Sequence, residues 1–442
     1  MRLAYLLLAA ASVLGQAQDV EDFQVFTDAP RLFLTRARLR LLQRERERQS
    51  MRWQQFDALV AGGATLPEPG FGWALYYRVS GDSSVGQRAI AWALSDAGQD
   101  LRQLALVFDW CSPILTDGQK QRLSSKIEKA MAAPSADFRQ QDARALAAIA
   151  IADRLSDHGS SVLRQIGSDW WRNGAAKQAE AGKPAIPREQ IYPLFELIHA
   201  FHDNLRLDLT DYAPEFFKAL AMDHLSSHYP APLDAPENQY RVPVYVREGD
   251  PDISNSIFSR AAELAMVAFD PNAGDNQYLQ GFLMQDRYLM RSALGAPYEF
   301  LWANPYQPGL SYFQAPLIFH NPVNGHLFAR TGWEEDAAWV GYFDGHLQLY
   351  ENGQIQTLKP GSAIQPLHIG DTLVVSAPRF QAKAKQIFVL GLTPGTTYGV
   401  EIDDQEVREE RTDSAGILTL DLRDPIDAGV RIQRAEEMAA WR

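Results

Sequence analysis

Apolar positions recur at helical spacing through most of the first three hundred residues. In GWALYYRVSGD, Trp73, Tyr76 and Tyr77 stand at i, i+3 and i+4, which predicts an apolar, aromatic helix face broken at Ser80, Gly81 and Asp82. A second helical run spans Gln87 to about Leu94. A third places Leu101, Leu104, Ala105, Val107 and Phe108 on one broad stripe before Pro113 stops it. Thr116 then stands at an N-cap position, where its hydroxyl can satisfy a free backbone N–H of the helix running to Met131. Repeated helix, turn and returning helix is how an array builds a continuous core, since one hairpin cannot bury its own apolar face. The pattern continues from Phe138 to Arg154, Val162 to Arg172, Ile191 to Leu205, Glu215 to His228, Ser256 to Phe269 and Asn276 to Leu294. The Gly/Pro segment from Gly62 to Gly72 separates the entry helix from the array. The Pro-rich stretch from Tyr229 to Val246 reads as a long loop over one mouth, and loops of that length are usually functional.

Near Trp302 the period changes. After the linker ANPYQPG come short alternating runs, AAWVGYF, HLQLY, QIQTL, TLVVSA, QIFVLGL, YGVEI, GILTLDL and GVRIQR, with Asn352-Gly353 and Pro394-Gly395 as turn pairs. This is hairpin chemistry, so the C-terminal region is expected to be antiparallel β. The chain thus reads as an α+β, multidomain protein: helical from residue 18 to 303, β from 304 to 442.

Arg2, the apolar LAYLLLAAASVL and the small-residue GQAQ read as a secretory leader ending near Ala17, hence residues 1–17 and a periplasmic or secreted product. The apolar run is too short for a membrane span, and none elsewhere is long enough. Cys111 is the sole cysteine, so no intrachain disulfide can form, and its apolar setting reads as a buried filler. With 46% hydrophobic and 22% charged residues, the 442-residue chain can build a large core without staples. The net charge of −13 excludes a nucleic-acid partner, which needs a basic surface. The basic run from Arg36 to Arg52 could form a local patch, but Glu45, Glu47 and the leucine spacing favour a solvated helix face. Ten Trp residues supply either core or sugar-stacking faces.

Three segments carry a family resemblance: PRLFLTRARLRLL, ALVFDWCSPILTDGQKQRL and LFARTGWEEDAAWVGYFDG. They resemble the helical domain and the start of the β-sandwich of heparinase II/III-like and alginate-lyase-like proteins. The resemblance implies an (α/α) toroid, here incomplete, followed by a small antiparallel β-sandwich. It also implies β-elimination on uronic-acid polysaccharides, the work of a carbon–oxygen lyase; for this chain no cofactor is expected. Such chemistry needs a group that neutralises the C6 carboxylate, a base for the C5 proton and an acid for the leaving oxygen. In the family an Asn or His on the toroid holds the carboxylate. The corresponding helix here offers Arg139, Gln140, Gln141 and Asp142, of which Arg139 and Gln141 can bind a carboxylate. The family's catalytic tyrosine matches Tyr192, and its β-domain histidine has His346 as a candidate.

The expected catalytic set is therefore Tyr192, Gln141, Arg139 and His346. Trp110, Glu189, His199 and Tyr240 are the expected substrate contacts, in a groove where the toroid mouth meets the β domain. His199 with His202, and His224 with His228, have metal-like spacing but no third ligand at a recognisable spacing, so no metal is expected. Two alternatives stand beside the lyase: a non-catalytic glycan-binding relative, and an (α/α)-toroid glycoside hydrolase using acids such as Asp109, Asp142 and Glu189. The expected partner is a polysaccharide or oligosaccharide, with no membrane contact after leader removal.

Overall fold

The computed structural model describes residues 23–436 apart from 134–136, 184–185, 235–238, 247–248, 250, 286–289 and 404–405. The expected leader lies outside the described residues.

The first part of the chain is helical. Its α-helices are α1 (Arg36–Glu47), α2 (Met51–Ala61), α3 (Pro69–Ser80), α4 (Ser83–Leu94), α5 (Leu101–Trp110), α6 (Asp117–Met131) and α7 (Phe138–Ala150). After these come α8 (Ser156–Arg164), α9 (Ala176–Glu180), α10 (Arg188–Leu205), α11 (Pro214–Ser226), α12 (Ile253–Phe269), α13 (Gly274–Gln285) and α14 (Gly295–Trp302). A wide-turned π-helical stretch, Gln165–Ala175, joins α8 to α9. Local chemistry explains the boundaries. Pro69 opens α3, and Gly81, at φ 79°, closes it in the left-handed conformation that a Cβ would disfavour. Thr116 and Gln119 form a reciprocal capping box at α6. The basic run is two helices, not one, because Ser50 caps a new start at Met51. It is tied inward: Arg38 donates to the Leu301 and Trp302 carbonyls and Arg52 pairs with Glu299 at 3.1 Å.

Helices α3, α5, α7, α10, α12 and α14 touch one another in that order, and α14 returns to α3. The ring is closed, where the sequence led to an incomplete one. The missing member was α14, whose eight residues, all buried, fall between the expected helix ending at Leu294 and the expected linker starting at Ala303. The other helices lie outside this ring. Helix α4 spans α3 and α5, α6 spans α5 and α7, and α2 spans α14 and α3. Their burial agrees: α6 buries only Leu123, Ser124, Ile127 and Met131.

The C-terminal part forms two sheets. A two-residue pair in the Pro-rich loop, β1 (Leu233–Asp234) with β2 (Gln239–Tyr240), is the strand pairing described before them. The first sheet runs in sequence order through β3 (Ile318–Asn321), β4 (His326–Arg330), β5 (Trp339–Phe343), β6 (His346–Glu351) and β7 (Gln354–Leu358), all antiparallel. The second contains β8 (Leu367–Ile369), β9 (Thr372–Val375), β10 (Arg379–Val389), β11 (Thr397–Ile402), β12 (Glu406–Arg411) and β13 (Leu418–Arg434), ordered β12-β11-β13-β10-β9-β8. One pairing departs from the expected antiparallel layer, since β9 runs parallel to β10. The expected hairpin at Asn352-Gly353 has both residues at positive φ, 52° and 77°, the geometry an Asn-Gly turn favours.

Packing arranges these parts in layers. One face of the first sheet, with Phe328, Trp339, Phe343 and Tyr350, joins the core of the helical part. Its other face, with Leu327, Val340 and Leu347, meets Val374 and Phe388 of the second sheet and Ile417 just before β13. The β10–β13 register shifts between Ala384 and Gln386, where β13 carries the extra residues, and the second sheet buries a further core of its own. Ordered polar contacts bolt the first sheet to the end of α11. Arg330 donates to the carbonyls of Ser226 and His228, and Trp339 Nε1 donates to Ser226. These satisfy carbonyls that a helix C-terminus leaves without partners.

Candidate functional site

Two polar clusters interrupt the apolar interior. The first lies inside the helical ring. Arg102 on α5 makes paired bonds to both oxygens of Glu196 at 2.7 Å and reaches Glu68 at 3.0 Å. Tyr192 Oη donates to Glu196 Oε1 at 2.5 Å and accepts from Trp302 Nε1 at 3.1 Å. Tyr298 Oη donates to Glu68 at 2.5 Å. Burial and the neighbouring Glu196 carboxylate push Asp142 well above the usual carboxylate range, so Asp142 bonds to Glu196 as the acid. Burial and the same carboxylate push the Tyr192 phenol up, keeping it protonated. Each charge here meets a counter-charge or a hydroxyl, which is the condition for burying it at tolerable cost.

The second cluster lines a cavity of about 650 Å³ where the ring meets the first sheet. Helix α10 contributes Arg188 and Glu189, α11 contributes Asp223 and His224, and β4 and the β5–β6 turn contribute His326 and Asp344. The end of the Pro-rich loop adds Val244, Tyr245 and Val246, and Phe216 and Phe319 give the cavity apolar walls. Arg188 Nη1 lies 3.0 Å from His224 Nδ1 and 2.8 Å from Ser259 Oγ, and Nη2 donates to Ser227 Oγ. Behind them Glu263 Oε1 lies 3.2 Å from His224 Nδ1 and 3.5 Å from His228 Nε2. Burial holds His224 below the ordinary imidazole range, and the adjacent Arg188 charge adds to this, so the ring stays neutral. His326 is the opposite. Burial opposes its charge, but Asp223 at 2.8 Å and Asp344 at 3.3 Å outweigh it and raise the imidazole to about 10. The cavity therefore presents a guanidinium, an imidazolium held by two carboxylates, and one neutral imidazole.

Of the residues singled out in the sequence, Glu189 lies on this cavity, exposed beside Arg188. His346 is half-buried on β6, next to the turn that carries Asp344. Tyr192 is buried in the ring cluster. Arg139 is exposed, with its guanidinium 5.3 Å over the Phe258 ring, which in turn lies 6.3 Å from the Tyr192 ring. Gln141 is buried and accepts from Arg144 at 3.0 Å. Trp110 has no exposed surface, and its Nε1 donates to the Leu32 carbonyl at 2.8 Å, so it offers no stacking face. His199 is a core residue: its Nε2 lies 2.9 Å from the Ala265 carbonyl, and burial lowers it to about 3. The side chain of Tyr240 lies outside the described residues. Asp109 accepts from the backbone of Arg31 and Leu32, and so serves the fold. Cys111 is fully buried, and burial pushes its thiol up to about 12.

Arg188, Glu263, His326, Asp223 and Asp344 were not among the candidates. A signal existed for Glu263 and Glu196. Each is a lone carboxylate inside an apolar helical run, AAELAMVAF and YPLFELIHAF, where a charge must have a buried partner.

No family model matches the chain, and no curated protein matches it. The resemblance to heparinase II/III-like and alginate-lyase-like proteins thus stands on its three sequence segments. A solved structure titled "Glycoside hydrolase" is similar over 83% of this chain and 71% of its own, at 9% identity and a TM-score of 0.31. A likeness at that level decides neither fold nor activity.

Proposed function

We propose that this chain is an exported carbohydrate-active protein, an (α/α) toroid of residues 18–303 followed by a β-sandwich of residues 304–442. On this reading it binds a uronic-acid-containing oligosaccharide in the cleft between the two. The observation that carries the reading is the Arg188–His224 pair on the cleft wall: a fixed cation beside a neutral base. In β-elimination the guanidinium would neutralise the C6 carboxylate, a task its planar fork suits. The neutral His224 would take the C5 proton. The electrons of that C–H bond form the C4–C5 double bond, and the C4–O bond breaks. The departing oxygen receives a proton from Tyr245 or from water. The balance needs no cofactor.

The test is incubation of the protein with uronic-acid polysaccharides, following the ultraviolet absorbance of the conjugated alkene. Its appearance supports elimination. New reducing ends without that absorbance would mean hydrolysis, and binding without either signal would mean a non-catalytic glycan receptor. N-terminal sequencing of the exported protein tests the leader, which should be absent after Ala17.

A further inference from the structure

Glu263 sits in the middle of α12 with no exposed surface, in a run otherwise built from Ala, Leu, Met, Val and Phe. A carboxylate in such a place is costly unless it is held by charges and hydrogen bonds. Its Oε1 is the meeting point of the cleft's back wall: 3.2 Å from His224 Nδ1, 3.4 Å from Ser259 Oγ, and 3.5 Å from both Arg188 Nη1 and His228 Nε2. Its Oε2 is buried and has no hydrogen-bond partner among the described residues. These groups come from α10 (Arg188), α11 (His224), the segment just after α11 (His228) and α12 itself (Ser259), and they are the polar groups described against Glu263.

A base that takes a proton from substrate must present a lone pair to the cleft, so its own proton has to lie on the far nitrogen. For His224 the far nitrogen is Nδ1, which faces Glu263 and Arg188. Arg188 Nη1, 3.0 Å from Nδ1, also faces this nitrogen, but the guanidinium has other acceptors for its protons, Ser259 Oγ at 2.8 Å and Ser227 Oγ. A proton on Nδ1 has the Glu263 carboxylate. His228 cannot compete for the same role, because its Nδ1 lies 2.8 Å from the His224 carbonyl, which only accepts, and this fixes the ring.

Resting on the lyase reading, we propose that Glu263 is the positioning residue of the cleft. It accepts the Nδ1 proton of His224, leaves the Nε2 lone pair for substrate, and balances the imidazolium formed when the C5 proton arrives.

The test uses the full chain, with ¹⁵N-labelled histidine rings assigned by comparison with His224→Asn. The wild type should show His224 as the Nδ1–H tautomer. In Glu263→Gln the imidazole should titrate at lower pH, because the carboxylate that favours its charged form is gone. On an acidic oligosaccharide, kcat of Glu263→Gln should fall on the order of a hundredfold while KM changes little. The acid limb of the pH profile should move to lower pH, and Glu263→Asp should recover part of kcat. Thermal melts separate these effects from loss of fold. An Nε2–H tautomer in the wild type overturns the proposal, and so does a Glu263→Gln variant with unchanged kcat and acid limb. If the wild type turns over no uronide, the lyase reading fails by itself. The ring spectra then still decide the role of Glu263, since they require no substrate.

Discussion

His326 on β4 and Asp223 on α11 stand 2.8 Å apart across the junction of the helical part and the first sheet, and Asp344 meets the other imidazole nitrogen at 3.3 Å. The pair links the two parts of the chain at the wall of the cleft. His326 titrates near 10 in the folded protein against 6.5 ordinarily, so folding takes up a proton between those values. The stabilisation is therefore complete below 6.5 and is lost as pH rises through about 10. Chemical denaturation of His326→Gln should show a deficit of a few kcal/mol at slightly acid pH, shrinking toward zero above about pH 10. A deficit of equal size at both ends would mean that packing, not charge, is what His326 contributes.

Arg188 and Arg139 should behave differently. Arg188 is 22% exposed by its side chain and is hydrogen-bonded on the cleft wall, whereas Arg139 is exposed over Phe258. Arg188→Lys keeps a charge opposite Glu263 but loses the fork, and should weaken binding of acidic oligosaccharides by about 2–5 kcal/mol, the range for a buried hydrogen-bonded charge pair. Neutral sugars should be affected far less. Arg139→Ala should change either affinity by no more than about 1 kcal/mol. Titration calorimetry with matched acidic and neutral oligosaccharides distinguishes these outcomes, and the reverse ranking would move the site to the ring cluster.

Tyr192→Phe removes a hydroxyl that donates to Glu196 and accepts from Trp302 in the closed ring cluster. Glu196 keeps its paired bonds from Arg102, but the buried Trp302 N–H loses its acceptor, which should cost about 1–3 kcal/mol. Activity per folded molecule should be retained. A variant with an unchanged melting midpoint and abolished turnover would instead make Tyr192 catalytic.

Gly182 stands at φ 65°, and a Cβ there would lie 2.4 Å from the Val323 carbonyl, so the turn after α9 meets the β3–β4 turn backbone to backbone at the cleft's edge. Gly182→Ala is strained by both its backbone conformation and that contact, and should destabilise by about 1–3 kcal/mol. Because the contact borders the cleft, KM for oligosaccharide should rise as well. An unaltered melt and an unaltered KM together would show that the two turns separate freely.

Local chemistry was legible in the chain itself. The period of 3.6 in GWALYYRV and LRQLALVFDW, the Thr116 cap, the Gly81 stop and the Asn352-Gly353 turn all act between residues a few positions apart, so sequence order alone determines them. The change from helix to strand period was legible for the same reason. Sequence also marked Glu196 and Glu263 as charges stranded on apolar faces, without saying what they meet. Their partners depended on tertiary structure, because Arg102 lies 94 residues from Glu196 and Arg188 lies 75 from Glu263. Helical spacing carries no information across such distances. Closure of the ring by α14 and the parallel β9–β10 pairing were hidden likewise, since each depends on which surfaces remain to be covered once the neighbours have packed. The cleft is the clearest case. Its wall combines α10, α11, the Pro-rich loop and the first sheet, and only the docking of Arg330 and Trp339 onto the end of α11 brings His326 to Asp223.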